Sequence, residues 1–508
     1  MKQNKWLYLL LVFPLLVACF QDKTTLGDRP LSNIIIEQGI DSVYNIKKFE
    51  TLVIEPVISQ ENQDKPLSFT WEIDLKPYSH DAVLEYVGNE LGKFNCRLIV
   101  ENEDGKTFFP FLLYVNSDYE YGITVLSCDN DGNSMLSFMQ EPMTPDAVAK
   151  FTDYDCFALN NPDTVFAANA ADIVQCGGRL IIACQGGGDR NDDPTIYYLN
   201  EKTMQIENMF TVPEYDDFEP TSLGVPTISP DGSNYPILCK NGKVYDFSVV
   251  EGVVSKPRKL KYTYSQKCLT NVNQGTYYDI LLFDTENLGM SLIYNGYGPY
   301  YCSDTIHLML DDYEYYSRKN HFVNRELVTM VNIRMTAAQK SETGHQEFLA
   351  MTRLAGYGAD ISLRTEVLYT DFWGYDFVNN KPLFYNAYVQ LVAMMLNNPI
   401  KISTPCIANR TYFTLLFADG NKVRSWDYTS NLADLPNAPT LLTVGDPDAQ
   451  ITGFEMSEDH TKTYVAFYEP QKDGLNGSVW VFDTNSGEVL ERHNNFCYKP
   501  VKMFYKTR

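Results

Sequence analysis

The sequence predicts an all-β chain of 508 residues. A small sandwich of short strands comes first, then a long series of similar four-strand units with one helix inserted late. Three observations predict this. Aromatic residues make up 13% of the chain, with 35 Tyr and 28 Phe, and such side chains favour strands. Short apolar runs alternate with period two. Turn dipeptides rich in Gly, Asn and Asp separate them.

The first 18 residues stand apart. Lys2 and Lys5 give a positive start, and Trp6 to Val17 is apolar apart from Pro14. A bilayer needs about 20 apolar residues, so this run is too short to cross one and reads as a cleaved export signal. Its ending, Leu16-Val17-Ala18-Cys19, resembles the lipobox of bacterial lipoproteins. The resemblance implies removal of residues 1–18 and lipidation of Cys19. Residues 19–32 then form a polar tether, and the membrane is a partner through the acyl chains.

Residues 33–117 carry the sandwich pattern. Ile34-Ile35-Ile36 and Thr51-Leu52-Val53-Ile54 are β-branched runs, and Leu67, Phe69, Trp71 and Ile73 share one face of an alternating strand. Gly92 to Val100, the turn Glu103-Asp104-Gly105 and Thr107 to Val115 follow. Short strands around one buried Trp are the layout of an immunoglobulin-like sandwich. Phe69-Thr70-Trp71, Gly92-x-Phe94-x-Cys96-x-Leu98-x-Val100 and Asp104-Gly105 resemble the PKD module. The Gly-Asp-Gly loop usual after its Trp strand is replaced by Asp74-Leu75-Lys76. The layout of lipobox, tether, PKD-like domain and long C-terminal region resembles the PKD-like lipoproteins of gut bacteria with polysaccharide-utilisation loci. That resemblance implies an outer-membrane lipoprotein, facing surface or periplasm. It also implies binding of a glycan or glycopeptide, or of an outer-membrane transporter complex.

From 118 to 508 a repeating rhythm takes over. The clearest unit is the last: Ile451 to Met456, Thr463 to Tyr468, Ser478 to Asp483 and Glu488 to Arg492 read as four strands joined by short turns. This unit resembles a β-propeller blade. A period near 50 over about 390 residues suggests about seven blades. A closed propeller would bring the strand near Gly122 to Ser127 together with the one near Val501 to Tyr505. Leu383 to Asn397 fits a helix, with Pro382 at its start and Pro399 beyond its end.

The chemistry is sparse. A net charge of -24 excludes nucleic acid as a partner, since that needs a basic face. Of 11 cysteines, Cys19 is assigned to lipid. The rest are scattered without Cys-x-x-Cys pairs, so no zinc site or other metal is expected and free thiols are the default. A Gly177-Gly178 turn would set Cys176 opposite Arg179 and leave Cys184 out of reach. No His-Glu-x-x-His, Gly-x-Ser-x-Gly, P-loop or Gly-x-Gly-x-x-Gly motif occurs, so no catalytic residue and no cofactor is assigned. His460 sits in the exposed-looking turn Glu458-Asp459-His460 and reads as a solvated or core residue. Asp129-Asn130-Asp131-Gly132-Asn133 lacks the EF-hand spacing and reads as a hairpin turn.

Aromatic clusters remain. Tyr300 and Tyr301, Tyr315 and Tyr316, and Trp373 and Tyr375 sit among Gly and acidic residues in loop-like stretches. Flat rings beside carboxylates suit sugar stacking, and they equally suit packing between blades. The favoured function is non-catalytic binding. The alternatives are a propeller lyase or glycosidase with two carboxylates in the central mouth, and a structural subunit of a surface complex.

Overall fold

The computed structural model describes residues 31–508 apart from 63, 142–148, 153, 225–233, 249–250, 258–262, 266–267, 271–278, 287, 295–296, 302–304, 311–313, 320–323, 357–360, 377–380 and 507–508. The expected export signal, Cys19 and most of the expected tether lie outside the described residues. Two compact units divide between Asp118 and Tyr119.

The first unit has nine strands: β1 (Ile34–Gln38), β2 (Val43–Lys47), β3 (Thr51–Ile54), β4 (Val57–Gln60), β5 (Ser68–Ile73), β6 (Lys76–Ser79), β7 (Leu84–Val87), β8 (Gly92–Asn102) and β9 (Gly105–Asn116). A five-stranded sheet runs β2-β9-β8-β5-β6, and β1-β4 and β3-β7 form two pairs. Alternation makes the core. Cys96, Leu98 and Val100 of β8 and Phe111, Leu113 and Val115 of β9 all point inward. Trp71 is fully buried, with Phe111 edge-on at 6.2 Å. Its Nε1 donates to the Asp81 carbonyl at 2.9 Å, so the ring is buried without an orphaned donor. The β5–β6 turn is unusual. Asp74 and Leu75 both hold positive φ, at 50° and 62°, where glycine is the usual occupant. Leucine in that region costs about 1–2 kcal/mol.

The second unit opens with β10 (Gly122–Cys128) and β11 (Ser134–Gln140). Three antiparallel quartets follow, each a separate sheet in chain order. The first is β12 (Ala170–Cys176), β13 (Arg179–Cys184), β14 (Thr195–Asn200) and β15 (Ile206–Thr211). The second is β16 (Pro220–Leu223), β17 (Asn234–Cys239), β18 (Val244–Ser248) and β19 (Val253–Val254). The third is β20 (Leu269–Thr270), β21 (Asp279–Asp284), β22 (Gly289–Tyr294) and β23 (Tyr297–Tyr301).

A hairpin of β24 (Thr305–Leu310) and β25 (Glu314–Lys319) precedes two more quartets. These are β26 (Arg325–Arg334), β27 (Glu347–Leu354), β28 (Ile361–Asp376) and β29 (Lys381–Met394), then β30 (Cys406–Asn409), β31 (Thr414–Asp419), β32 (Lys422–Asp427) and β33 (Thr440–Thr443). Two parallel pairs, Ile333 with Ala408 and Arg334 with Asn409, join them. With the hairpin added beside β29 they count as one ten-stranded sheet. The last quartet is β34 (Gln450–Met456), β35 (Lys462–Tyr468), β36 (Gly477–Asp483) and β37 (Val489–Cys497). The final strand, β38 (Lys499–Lys506), returns to the start of the unit. It pairs antiparallel with β10, from Gly122–Lys506 to Cys128–Lys499, as the end-to-end closure expected from the sequence requires.

The continuous apolar runs of this unit have a simple cause, because both faces of each sheet are covered. Leu180 and Ile182 of β13 face Leu126, Leu136 and Phe138 of the preceding sheet. Ile181 and Ala183, between them in sequence, face Leu223, Ile237 and Tyr245 of the next. Further clusters link the later quartets, and Val125 and Met503 pack with Ala466 and Val481 to join the last quartet to the first sheet. The hairpins follow turn chemistry. Gly177 and Gly178 have φ of 55° and 79°, and Cys176 does pair with Arg179. Among the described residues no two cysteines are joined in a disulfide. Asp129 Oδ1 accepts from the Asp131 and Asn133 amides at 3.0 and 2.7 Å, which makes that acidic stretch a hairpin turn.

One expected element is overturned. Residues 383–397 are not helical, and Lys381–Met394 is the strand β29 along β28. An apolar run of this length fits either period, and the long partner strand decides. Tyr388 and Val392 turn to the core while Leu391 stays 58% exposed, which is period two. The helices of the unit lie elsewhere and are short: α1 (Cys156–Asn160) and α2 (Ala337–Thr343), plus a 3-10 turn at Leu432–Asn437. Thr336 and Gln339 form a capping box at the start of α2, a Thr-x-x-Gln signal readable in sequence.

Lys506 generates a pH-dependent prediction. Its side chain is fully buried beneath the β10–β38 pairing. The ammonium donates to the carbonyls of Tyr119 and Glu201 and lies 5.7 Å from the Phe138 ring centre. Burial pulls its pKa from the usual lysine value down to about 8, despite Glu201 and Glu120 nearby. Between pH 8 and the ordinary lysine value the unfolded chain holds a proton that the folded chain has released. Folding therefore gains stability as pH rises through that window. Relative to Lys506→Met, the wild-type chain is expected to gain up to about 3 kcal/mol from pH 8 to 10.5 in chemical denaturation. Parallel pH profiles for the two proteins would exclude a charged, strained Lys506.

Candidate functional site

The first strand of every quartet, β12, β16, β20, β26, β30 and β34, lines one cavity together with β38. Its volume is about 1320 Å³, enough for a small oligosaccharide. Inner strands contribute alternate side chains, so polar groups from distant parts of the chain converge there.

At one position Asp172 of β12 meets Lys502 of β38 at 2.5 Å. The carboxylate is almost fully buried. It also accepts from the Ile173 amide at 3.0 Å and the Leu223 amide at 2.7 Å, which ties β12 to β16. Burial alone would depress the Lys502 ammonium, but Asp172 outweighs it and the net shift is upward. The lysine is held as a cation. Cys268, beside them on the wall, has its thiol pushed up to about 11, chiefly by burial. It is a thiol at neutral pH and no nucleophile.

A second cluster forms around Arg334. The guanidinium at the end of β26 donates through Nη2 to both oxygens of Glu455, at 2.5 and 2.7 Å. Glu455 is buried on β34 and also accepts from the Met456 amide at 2.9 Å. The turn after β34 is built by Asp459, whose Oδ1 accepts from Ser457 Oγ at 2.6 Å, from the Thr461 amide at 3.0 Å and from Thr461 Oγ1 at 2.7 Å. Burial works against that carboxylate, yet these hydrogen bonds hold its pKa below the ordinary value. The turn carries His460 at φ 62°. His460 is 3% exposed, the core one of its two expected roles, and its Nδ1 lies 2.8 Å from Thr411 Oγ1. Burial, then Arg334 and Lys340, lowers its pKa, against a smaller pull upward from Asp459. The imidazole is neutral at pH 7. Lys340 enters from α2, and burial and Arg334 lower its pKa as well. Both Lys340 and His460 line the cavity, as does the start of α2 at Ala337 and Ala338.

The arrangement can recognise polar and charged groups in a partly enclosed space. Its wall carries the carboxylates of Asp172, Glu455, Glu458 and Asp459. Asp172 and Glu455 are each engaged by a cation, and Asp459 is satisfied by its own turn. Among the described residues no group of three or more His, Cys, Asp or Glu side chains could hold a metal.

The residues singled out from sequence are placed differently. Tyr300 and Tyr301 lie in β23, Tyr315 and Tyr316 in β25, and Trp373 and Tyr375 in β28. Strands rather than loops therefore carry them, because their Gly and Asp neighbours are absorbed into long pairings. The ladder between β28 and β29 is irregular from Thr370 to Tyr375, and Trp373 falls in that break. β25 and β28 belong to the ten-stranded sheet and β23 to the sheet before it. The side chains of all six lie outside the described residues, as does Cys19.

Sequence reasoning missed Asp172, Arg334, Lys340, Glu455 and Lys502. The Arg334–Glu455 pair spans 121 residues and Lys502–Asp172 spans 330, so no local pattern marks them. The capping box of α2 was the one available signal near them.

No family model matches the chain, and no curated protein matches it. Several solved structures are similar to it. A quinonprotein alcohol dehydrogenase-like protein from Bacteroides thetaiotaomicron has 15% identity and a TM-score of 0.45, over 93% of this chain and 99% of that one. The Cps50 (Swd1) β-propeller domain of Myceliophteria thermophila has 12% identity and a TM-score of 0.33, over 64% and 88%. A dihydro-heme d1 dehydrogenase in complex with DHE has 11% identity and a TM-score of 0.35, over 80% and 72%.

Cys268 gives a direct check on the wall chemistry. Its alkylation by iodoacetamide in the folded protein should be negligible at pH 7.5 and rise about tenfold per pH unit until near pH 11. Rapid labelling at neutral pH, located by peptide mass spectrometry, would show an activated thiolate instead.

Proposed function

We propose that this protein is an exported lipoprotein of the outer membrane, anchored through Cys19, whose second unit is a β-propeller that binds a glycan or glycopeptide without catalysis. The propeller reading rests on the sheet circuit. Six quartets and the β11-β10-β38 sheet make seven blades, each packing on the next and each presenting one strand to a common cavity. The first unit acts as a PKD-like spacer between lipid and propeller. An outer-membrane uptake complex is the partner that would receive the ligand.

The observation that carries binding over hydrolysis is the state of the cavity carboxylates. A glycosidase needs one carboxyl poised to donate a proton and another free to act as base or nucleophile. Here Asp172 and Glu455 are committed to Lys502 and Arg334. Committed ion pairs make a rigid, polar wall, which suits recognition. Tyr300, Tyr301, Tyr315, Tyr316, Trp373 and Tyr375 are the residues we assign to aromatic stacking.

Screening the purified full chain on a glycan array, with a protein pull-down in parallel, tests this reading. A defined glycan class should bind. Trp373→Ala should weaken it about 30-fold, as loss of a stacking hot spot worth about 2 kcal/mol would. Capture of a protein partner with no glycan bound would favour a structural subunit, and glycan turnover would favour an enzyme. The anchor is tested separately. Cys19→Ala should move the protein from the membrane to the soluble fraction or leave it unprocessed. An unmodified Cys19 in the mature chain, seen by mass spectrometry, would overturn the anchor.

A further inference from the structure

We propose that the cavity takes an uncharged glycan and turns acidic glycans away, and that Glu458 and Gln346 set this selectivity where α2 meets the turn after β34. The inference deepens the glycan-binding reading and rests on it. Glu458 lies in that turn and Gln346 just before β27, and both line the cavity. Arg334, Lys340, Glu455, Asp459 and His460 line it beside them.

The charge at this end is negative. Among the described residues, Glu455, Glu458 and Asp459 stand against Arg334 and Lys340. His460 is neutral, because burial, then Arg334 and Lys340, lower its pKa. Arg334 is paired with Glu455 at 2.5 Å, and Asp459 accepts from Ser457 and Thr461. Glu458 is exposed. Burial, Glu141, Tyr464 and Glu458 together push the Tyr505 hydroxyl pKa up, so the charge of Glu458 reaches β38. Elsewhere on the wall Asp172 and Lys502 cancel each other. A ligand carboxylate or sulfate would have to shed water and meet a wall with no spare cation. Taking a cation from Glu455 or Asp172 would strand a buried carboxylate, which is costly. A neutral sugar meets neither cost.

The wall groups suit hydroxyls. Gln346 is 7% exposed, and its Nε2 donates to the carbonyls of Ile333 at 2.7 Å and Glu347 at 2.8 Å. Two carbonyl acceptors fix which end of the amide is nitrogen, so Oε1 is the other end. That oxygen has no hydrogen-bond partner among the described residues, although the side chain is nearly buried. An amide oxygen left in this state repels a carboxylate and accepts from a hydroxyl. The exposed Glu458 carboxylate does the same. Arg334 keeps guanidinium hydrogens beyond those used on Glu455, and Lys340 brings an ammonium, so donors are present for the oxygen of the same hydroxyl. Hydroxyls both donate and accept. A wall that mixes acceptors with donors and has no surplus cation fits a sugar ring without an acidic group.

The test uses the full chain and measures affinities by calorimetry. The neutral probes are maltohexaose, cellohexaose, xylohexaose and N-acetylchitohexaose. Hexasaccharides of galacturonate, hyaluronan and chondroitin sulfate are the acidic probes, and the glucosamine hexamer is a cationic one. The best neutral probe should bind at least about tenfold more tightly than every charged one. Added salt should narrow the gap to the acidic probes by screening their repulsion. Glu458→Lys should raise the acidic-to-neutral affinity ratio about tenfold, and Glu458→Gln about threefold. Glu251→Lys, on the exposed turn before β19, changes the net charge as much as Glu458→Lys and should leave the ratio as it is. Gln346→Met should weaken the best neutral probe about fivefold, with folding checked by circular dichroism. Glu458 is exposed, so its variants decide the matter even where Gln346→Met does not fold. A charged probe that binds as tightly as the best neutral one would overturn the selectivity and leave glycan binding intact. So would a ratio unmoved by Glu458→Lys, or one moved equally by Glu251→Lys. Binding of none of these saccharides would instead overturn the glycan reading itself.

Discussion

The pairing of β38 with β10 is the interaction on which the rest of the second unit depends. Sheets that are apolar on both faces need neighbours on both sides, and a linear stack leaves two apolar faces bare. Here the last strand of the chain completes the first sheet, so Val125 and Met503 meet Ala466 and Val481 across the junction. No end sheet is left uncovered. The same closure carries Lys502 and the neighbouring β38 residues into the cavity, opposite strands that are hundreds of residues away in sequence. Lys506 marks how tightly the junction is made. A buried lysine is tolerated there because two carbonyls receive its hydrogens.

Closure also explains the character of the cavity. Each quartet contributes its first strand, and the β11-β10-β38 sheet contributes β38. Polar side chains gather there while apolar side chains fill the spaces between sheets. The ion pairs of the wall each cross from one sheet to another: Asp172 to Lys502, and Arg334 to Glu455. Breaking either would leave a buried carboxylate uncompensated, which is costly. They therefore serve the geometry of the site as well as its charge. A recognition surface of this kind is rigid because its members are bound to one another before any ligand arrives.

Much of the architecture was legible from residue patterns. The alternating faces of β5, β8 and β9 and the buried Trp71 follow from period two. The Gly177-Gly178 hairpin and the Asp129 turn follow from backbone chemistry at single positions. The last quartet was readable nearly strand for strand. Residues 383–397 were misread because a long apolar run satisfies helical spacing and strand alternation alike. Only the presence of β28 as a partner selects the strand. His460 lies in a turn that looks exposed in sequence, yet the ring is buried, with its Nδ1 2.8 Å from Thr411 Oγ1 in the turn between β30 and β31.

The sequence by itself determined the all-β class, the positions of most strands and turns and the net negative charge. These are local properties, written in spacing and in the conformational preferences of Gly, Asn, Asp, Tyr and Trp. The tertiary structure alone decided which strands face the cavity and which charges pair across it. Those outcomes depend on contacts between residues 121 or 330 positions apart. Such contacts are set by closing the sheet circuit, and no window of sequence contains both partners.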